Sequence, residues 1–94
     1  MAVLLDLREQ LDMIDKQIVE LYEKRMEISE QVAIAKLEMG KAVFDKQREE
    51  EKLASVRDLC SKEANKDGIQ RLYEHIMDMS KEVQYQIIDK EKKE

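Results

Sequence analysis

Residues 4–36 read LLDLREQLDMIDKQIVELYEKRMEISEQVAIAK. Leu4, Leu7, Leu11, Ile14, Ile18 and Leu21 are spaced alternately by three and four, and the interval resumes at Ile28, Val32 and Ala35. That period lines the apolar side chains along one stripe of an α-helix, whereas a strand would alternate every second residue. The interval skips position 25, where Arg25 stands. A guanidinium in an apolar seam costs stability unless its charge is paired or its position is wet.

The composition outside this stretch points the same way. The chain has 94 residues, enough for one small domain spanning 1–94, with 2 Gly, no Pro, 4% aromatic and 41% charged residues. Such a chain favours helix and argues against a sheet, so the fold class expected is all-α. Two breaks divide it. In MGKAVFDKQ (39–47), Gly40 suits the left-handed position after a helix and Asp45 suits the cap of the next. In ANKDGIQRL (64–72), Gly68 marks a second break, with Asn65 or Asp67 as caps. The spacing predicts three helices, one long, one short and one medium, over 4–38, 46–62 and 68–90. The terminal DKEKKE (89–94) reads as solvated and frayed.

A first helix of that length spans about 50 Å, and the second reaches about half as far. Three such helices cannot cover the whole seam within one chain. The expectation is a homodimer with the long helices side by side; a coiled-coil scaffold with the shorter helices folded over it is the alternative. The net charge of −5 disfavours a nucleic-acid partner, which needs a net basic face. No stretch approaches the roughly 18–20 apolar residues of a membrane span. The start MAVLLDLREQ lacks a basic leader region, and the single cysteine, Cys60, cannot form an internal disulfide, so a cytoplasmic protein is expected.

Lys36 lies eleven residues after Arg25, almost three helical turns, so the two share a face with Val32 between them. That face offers two cations flanking an apolar patch, although a single polar seam residue also serves to fix coiled-coil register. Arg8 lies 17 residues before Arg25, about 25 Å along a helix, too far to share a small ligand within one chain. In an antiparallel dimer, Arg8 of one chain can approach Arg25 of the other. In the second helix Asp45, Arg48 and Glu49 point to one side, which Leu53, Val56 and Cys60 continue as an apolar stripe. Glu50, Glu51 and Lys52 read as a solvated face. Ile69, Leu72, Tyr73, Ile76, Met77, Val83 and Ile87 form the apolar side of the third helix, interrupted by Ser80 and Gln84. Both polar groups need partners if buried, and the Gln84 amide both donates and accepts. His75 is the only histidine, on a surface or half-buried position, and has no companions for a metal site. The six methionines read as core filler, and Tyr22, Tyr73 and Tyr85 as packed rings with hydroxyls toward water.

The strings LREQLDMIDKQIVEL, KRMEISEQVAIAK, VFDKQREEEK and MSKEVQ, at these spacings, resemble the all-helical chorismate mutases of the small intertwined-dimer type. The resemblance runs from about residue 4 to residue 88, with one departure at Ala42, where the family often has proline. It implies an isomerase that rearranges chorismate, a dianion, to prephenate in aromatic amino acid biosynthesis, with no cofactor, metal or covalent intermediate. By the same resemblance Arg25 and Arg48 bind substrate carboxylates, and Arg8 binds one in the partner's site. Lys36 and Gln84 donate to the ether oxygen, where charge grows as the C–O bond breaks. Glu49 accepts from the ring hydroxyl, helped by the backbone at Asp45; Ser80 assists near a carboxylate and Val32 is the apolar wall. Isochorismate–pyruvate lyase and a non-catalytic helical dimerisation or regulatory module are the competing readings.

Overall fold

The computed structural model describes residues 2–93. Three helices follow one another: α1 (Ala2–Met39), α2 (Lys46–Leu59) and α3 (Lys66–Lys93), with a 3₁₀ turn at Glu63–Asn65. The described residues contain no strand.

The first break is built as its residues dictate. Gly40 ends α1 with φ +67°, the left-handed conformation that costs an L-residue roughly 1–2 kcal/mol. No atom lies within 4 Å of where a Cβ would stand, so any cost of replacing it is in the backbone alone. Asp45 caps α2: its extended backbone lets Oδ1 accept from the Arg48 amide at 3.0 Å. Such a cap is worth about 0.5–2 kcal/mol.

The second break differs from expectation. The 3₁₀ turn runs straight into α3, so the helix begins two residues before Gly68. Asp67 is held elsewhere: its carboxylate accepts from Arg57 Nη1 at 2.8 Å, and the same nitrogen reaches Gln70 Oε1 at 2.8 Å. This clamp ties the end of α2 to the start of α3. Cys60, with its amide on the Arg57 carbonyl at 3.1 Å, terminates α2 three residues earlier than expected. α3 continues through the charged tail to Lys93; the last residue of that tail, Glu94, and the initiating Met1 lie outside the described residues.

α3 packs on both other helices. Ser29 meets Ser80 and Lys36 meets Gln84, so α1 and α3 run in the same direction. Arg57 meets Asp67 and Glu49 meets Lys81, so α2 runs against α3. The resulting slab measures 57 × 29 × 14 Å. Its long edge equals the 38 residues of α1 at about 1.5 Å each. Its thickness is close to that of one helix, about 10–12 Å with side chains. A single layer has no inside, and among the described residues only Met26, Ala33, Val43, Val56 and Met77 are buried apolar ones.

α1 carries two apolar stripes rather than one. Met26, Ser29 and Ala33 are the residues it buries in its own chain. They sit one position, about 100°, around the helix from the seam residues Ile28, Val32 and Ala35, which stay exposed. Every residue from Ala2 to Lys24 is exposed, including Leu4 (51%), Leu11 (57%) and Ile18 (57%). On α3, Leu72 also stays out, half exposed, and Leu59 at the end of α2 is 80% exposed.

Candidate active site

The arrangement leaves a cavity of about 340 Å³ walled by the C-terminal half of α1, the 40–45 connector, the start of α2 and the middle of α3. That is a usual size for a small-molecule site. Eight of the nine residues singled out in the sequence line it: Arg25, Val32, Lys36, Asp45, Arg48, Glu49, Ser80 and Gln84. Arg8 does not; it stands exposed on the N-terminal half of α1.

One hydrogen-bonded chain crosses the floor. Lys36 Nζ donates to the Val43 carbonyl at 2.7 Å and to Gln84 Oε1 at 3.1 Å. Gln84 Nε2 donates to Ser80 Oγ at 3.2 Å, and Ser80 Oγ lies 2.7 Å from Ser29 Oγ. Ser29, Ser80 and Gln84 are all buried, and no buried side-chain polar atom among the described residues lacks a partner. An ammonium has three N–H groups and a primary amide two. Lys36 therefore keeps one donor and Gln84 keeps one. Because the two groups are bonded to each other, these spare donors belong to adjoining points of the same floor.

The cations above the floor are largely unneutralised. Arg25 is half-buried, its guanidinium carbon 5.8 Å from the centroid of the Tyr73 ring. Arg48 is exposed at the rim. Among the described residues neither they nor Lys36 makes a salt bridge. Five cationic and two acidic side chains line the cavity, an excess of three positive charges in a chain whose net charge is −5. No thiol or imidazole lines it; Cys60 is at the far end of α2 and His75 is on an exposed position of α3. Among the described residues no group of three His, Cys, Asp or Glu is placed to hold a metal ion.

Three polar lining residues escaped the sequence reading. Ser29 lies four residues after Arg25 and three before Val32, so its helical spacing was the available signal. Lys52, expected in solvent, is half-buried and lines the cavity; it lies one turn beyond Arg48 and faces inward with it. Lys81 is the third. Its ammonium contacts Glu49 Oε2 at 3.1 Å and Oε1 at 3.3 Å, and lies 3.4 Å from Asp78 Oδ1. Burial opposes its charge, but the hydrogen bond and attraction of Glu49, then those of Asp78, outweigh it and raise the Lys81 pKa above the ordinary lysine value. Glu50 and Glu51 are exposed, as the solvated face requires.

A family model described as chorismate mutase type II matches residues 7–85. Comparison with curated proteins and with solved structures finds no match to this chain. No helix among the described residues is long and apolar enough to cross a membrane.

Proposed function

The chain belongs to the chorismate mutase type II family, all-helical isomerases that rearrange chorismate to prephenate, and from that premise we propose how its own residues do so. The observation that carries the reading is the cationic cavity in an acidic chain, lined by Lys36 and Gln84, which are bonded to each other and each keep one spare donor.

The reaction is an intramolecular Claisen rearrangement. One C–O bond breaks and one C–C bond forms, with no proton transfer, so nothing in the site need act as nucleophile or base. The site has to hold a dianion in its compact reactive conformer and stabilise negative charge growing on the ether oxygen. Arg25 and Arg48 take the two carboxylates; a guanidinium offers paired N–H groups that match a carboxylate fork. The spare N–H of Lys36 and that of Gln84 meet the ether oxygen. Both are fixed before the substrate arrives, so little reorganisation is left for the moment of reaction. Glu49 accepts from the ring hydroxyl, with the backbone at Asp45 alongside. Ser80 sits near a carboxylate, where its main task is to hold the Gln84 amide, and Val32 closes the apolar side.

The site is completed by a second copy of the chain. A one-layer slab with an exposed seam calls for a second layer, and the family resemblance supplies an intertwined homodimer. Antiparallel pairing of the α1 helices brings the partner's Arg8 to this cavity, where it binds a carboxylate. The protein is read as cytoplasmic, with chorismate as its small-molecule partner.

Losing one donor aimed at developing charge costs about 2.7–4 kcal/mol, a factor of roughly 100–1,000 in rate. Lys36→Ala and Arg25→Ala each lose at least a hundredfold in chorismate turnover, followed by prephenate formation, while the assembly sediments as before. Near-normal turnover in both would show that the cavity is not the reaction site.

A further inference from the structure

Glu49 is not a free carboxylate. Lys81, reaching across from α3, contacts both of its oxygens, at 3.1 Å and 3.3 Å. The two side chains are 22% and 24% exposed, so solvent screens the pair only in part. Asp78, the other acid near Lys81, is 69% exposed and a weaker partner. The face of the Phe44 ring, 4.9 Å from the ammonium, steadies it from the connector side. Lys81 also lines the cavity, so the pair forms part of its wall.

A lone carboxylate in that wall works against the site. The substrate carries two negative charges, and like charges repel more strongly in a partly dry cavity than in water. A hydrogen-bond acceptor is nevertheless wanted there for the ring hydroxyl. Two carboxylate oxygens have about four lone-pair positions; Lys81 donates to one on Oε1 and lies in ion-pair contact with Oε2. Acceptor capacity remains while the charge is cancelled.

We propose that Lys81 is a positioning residue: by gripping both oxygens of Glu49 it aims that carboxylate at the substrate's ring hydroxyl and removes its repulsion of the dianion. This rests on the role given to Glu49 above. A mere brace between α2 and α3, or a direct contact from Lys81 to substrate, would act independently of the charge on Glu49.

The test is a double-mutant cycle in the whole protein with chorismate as substrate. Lys81→Met lowers kcat/KM on the order of tenfold, mostly through KM, because the repulsion is present in the ground state as well as the transition state. Lys81→Arg, which keeps the grip, returns it to within about threefold. In a Glu49→Gln background no carboxylate is left to aim and the wall carries the Lys81 charge without its Glu49 partner, so Lys81→Met costs only the attraction of that cation for the dianion, about threefold or less. An equal loss in both backgrounds overturns the proposal in favour of a brace or a direct contact, as does a Lys81→Met enzyme with unaltered KM. Should Lys81→Met not fold, Lys81→Gln carries the same expectations and the same refutation. Full activity in Glu49→Gln alone would remove the role of Glu49, and the proposal with it. Reduced activity there with an additive cycle would remove the role of Lys81 only.

Discussion

Two impaired variants should make a more active enzyme when mixed. Arg8 is exposed, and its distance from Arg25, 17 residues of helix or about 25 Å, is far beyond the length of one side chain. If each cavity is completed by the partner's Arg8, then Arg8→Ala damages the site its chain does not otherwise build. Lys36→Ala damages the site its chain does build. Lys36→Ala loses a factor of roughly 100–1,000. Arg8→Ala loses a charge-assisted contact worth about 1.5–3 kcal/mol, a factor of roughly 10–150. In a heterodimer of the two, one cavity has Lys36 from one chain and Arg8 from the other and is intact; the second lacks both. Random reassortment of equal amounts makes half the dimers mixed, so about a quarter of all cavities are whole. The assay is prephenate formation after the two variants are unfolded together in denaturant and refolded. Activity should rise from the low level of either parent to about a quarter of the unmutated enzyme. A mixture no more active than the average of its parents would refute the shared site, and a fully active Arg8→Ala parent would refute it sooner.

A register can be tested too. If the partner's Arg8 is level with Ser29, inside the 25–36 stretch of α1 that lines the cavity, the centre of an antiparallel α1 pair falls near Ile18, so Ile18→Cys in a Cys60→Ser background should oxidise to a disulfide-linked dimer; monomer on a non-reducing gel would exclude that register. Gln84→Glu should move activity toward acid pH, because a carboxyl beside Lys36 favours its ionised form at neutral pH and donates only when protonated; a flat profile would separate residue 84 from the reacting oxygen. The hydrogen bond from Arg57, then its attraction, holds the Asp67 carboxyl below its ordinary pKa. A depressed carboxyl contributes stability above its unfolded pKa of about 3.9 and loses it as pH falls through the lower folded value. Asp67→Asn should therefore lower the thermal midpoint slightly at pH 7 and leave it unchanged near the acid end; an equal drop at both would show that the clamp is not electrostatic.

Local signals were read correctly where the physics is local. Gly40 and Asp45 act through their own backbone and nearest amides, so their roles follow from residue type and position. The seam followed from spacing, and so did the shared face of Arg25, Val32 and Lys36. The second stripe of α1, Met26 and Ala33, lies one residue away and was hidden because the longer seam dominates the pattern. Asp67 was misread as a cap because its partner, Arg57, belongs to the preceding helix. The grip of Lys81 on Glu49 joins residues 32 positions apart, and no periodicity within α2 or α3 encodes it. Lys52 was assigned to solvent because REEEK reads as a charge run, although its turn relation to Arg48 was in view.

The placement of charge bears on the proposal that a second chain and a dianion share one site. Acids outnumber bases in this sequence, 22 to 17, so partners for every cation were available. Among the described residues the ion pairs that form hold Lys46, Arg57, Lys66 and Lys81, and none holds Arg25, Lys36 or Arg48. Leaving those three unpaired is tolerable in one open slab, where water reaches them. Closing a second layer over the slab removes that water, and the cations then repel one another unless negative charge enters with the closure. A dianion held by both chains of the proposed dimer would supply it. In the proposed dimer, seam packing and charge would therefore pull in opposite directions without ligand and in the same direction with it. By linkage, a ligand bound across the proposed interface stabilises the assembly by RT ln(1 + [L]/Kd). Filling Arg25 with a leucine would relieve the repulsion, tighten the empty dimer and abolish the binding that the repulsion makes possible.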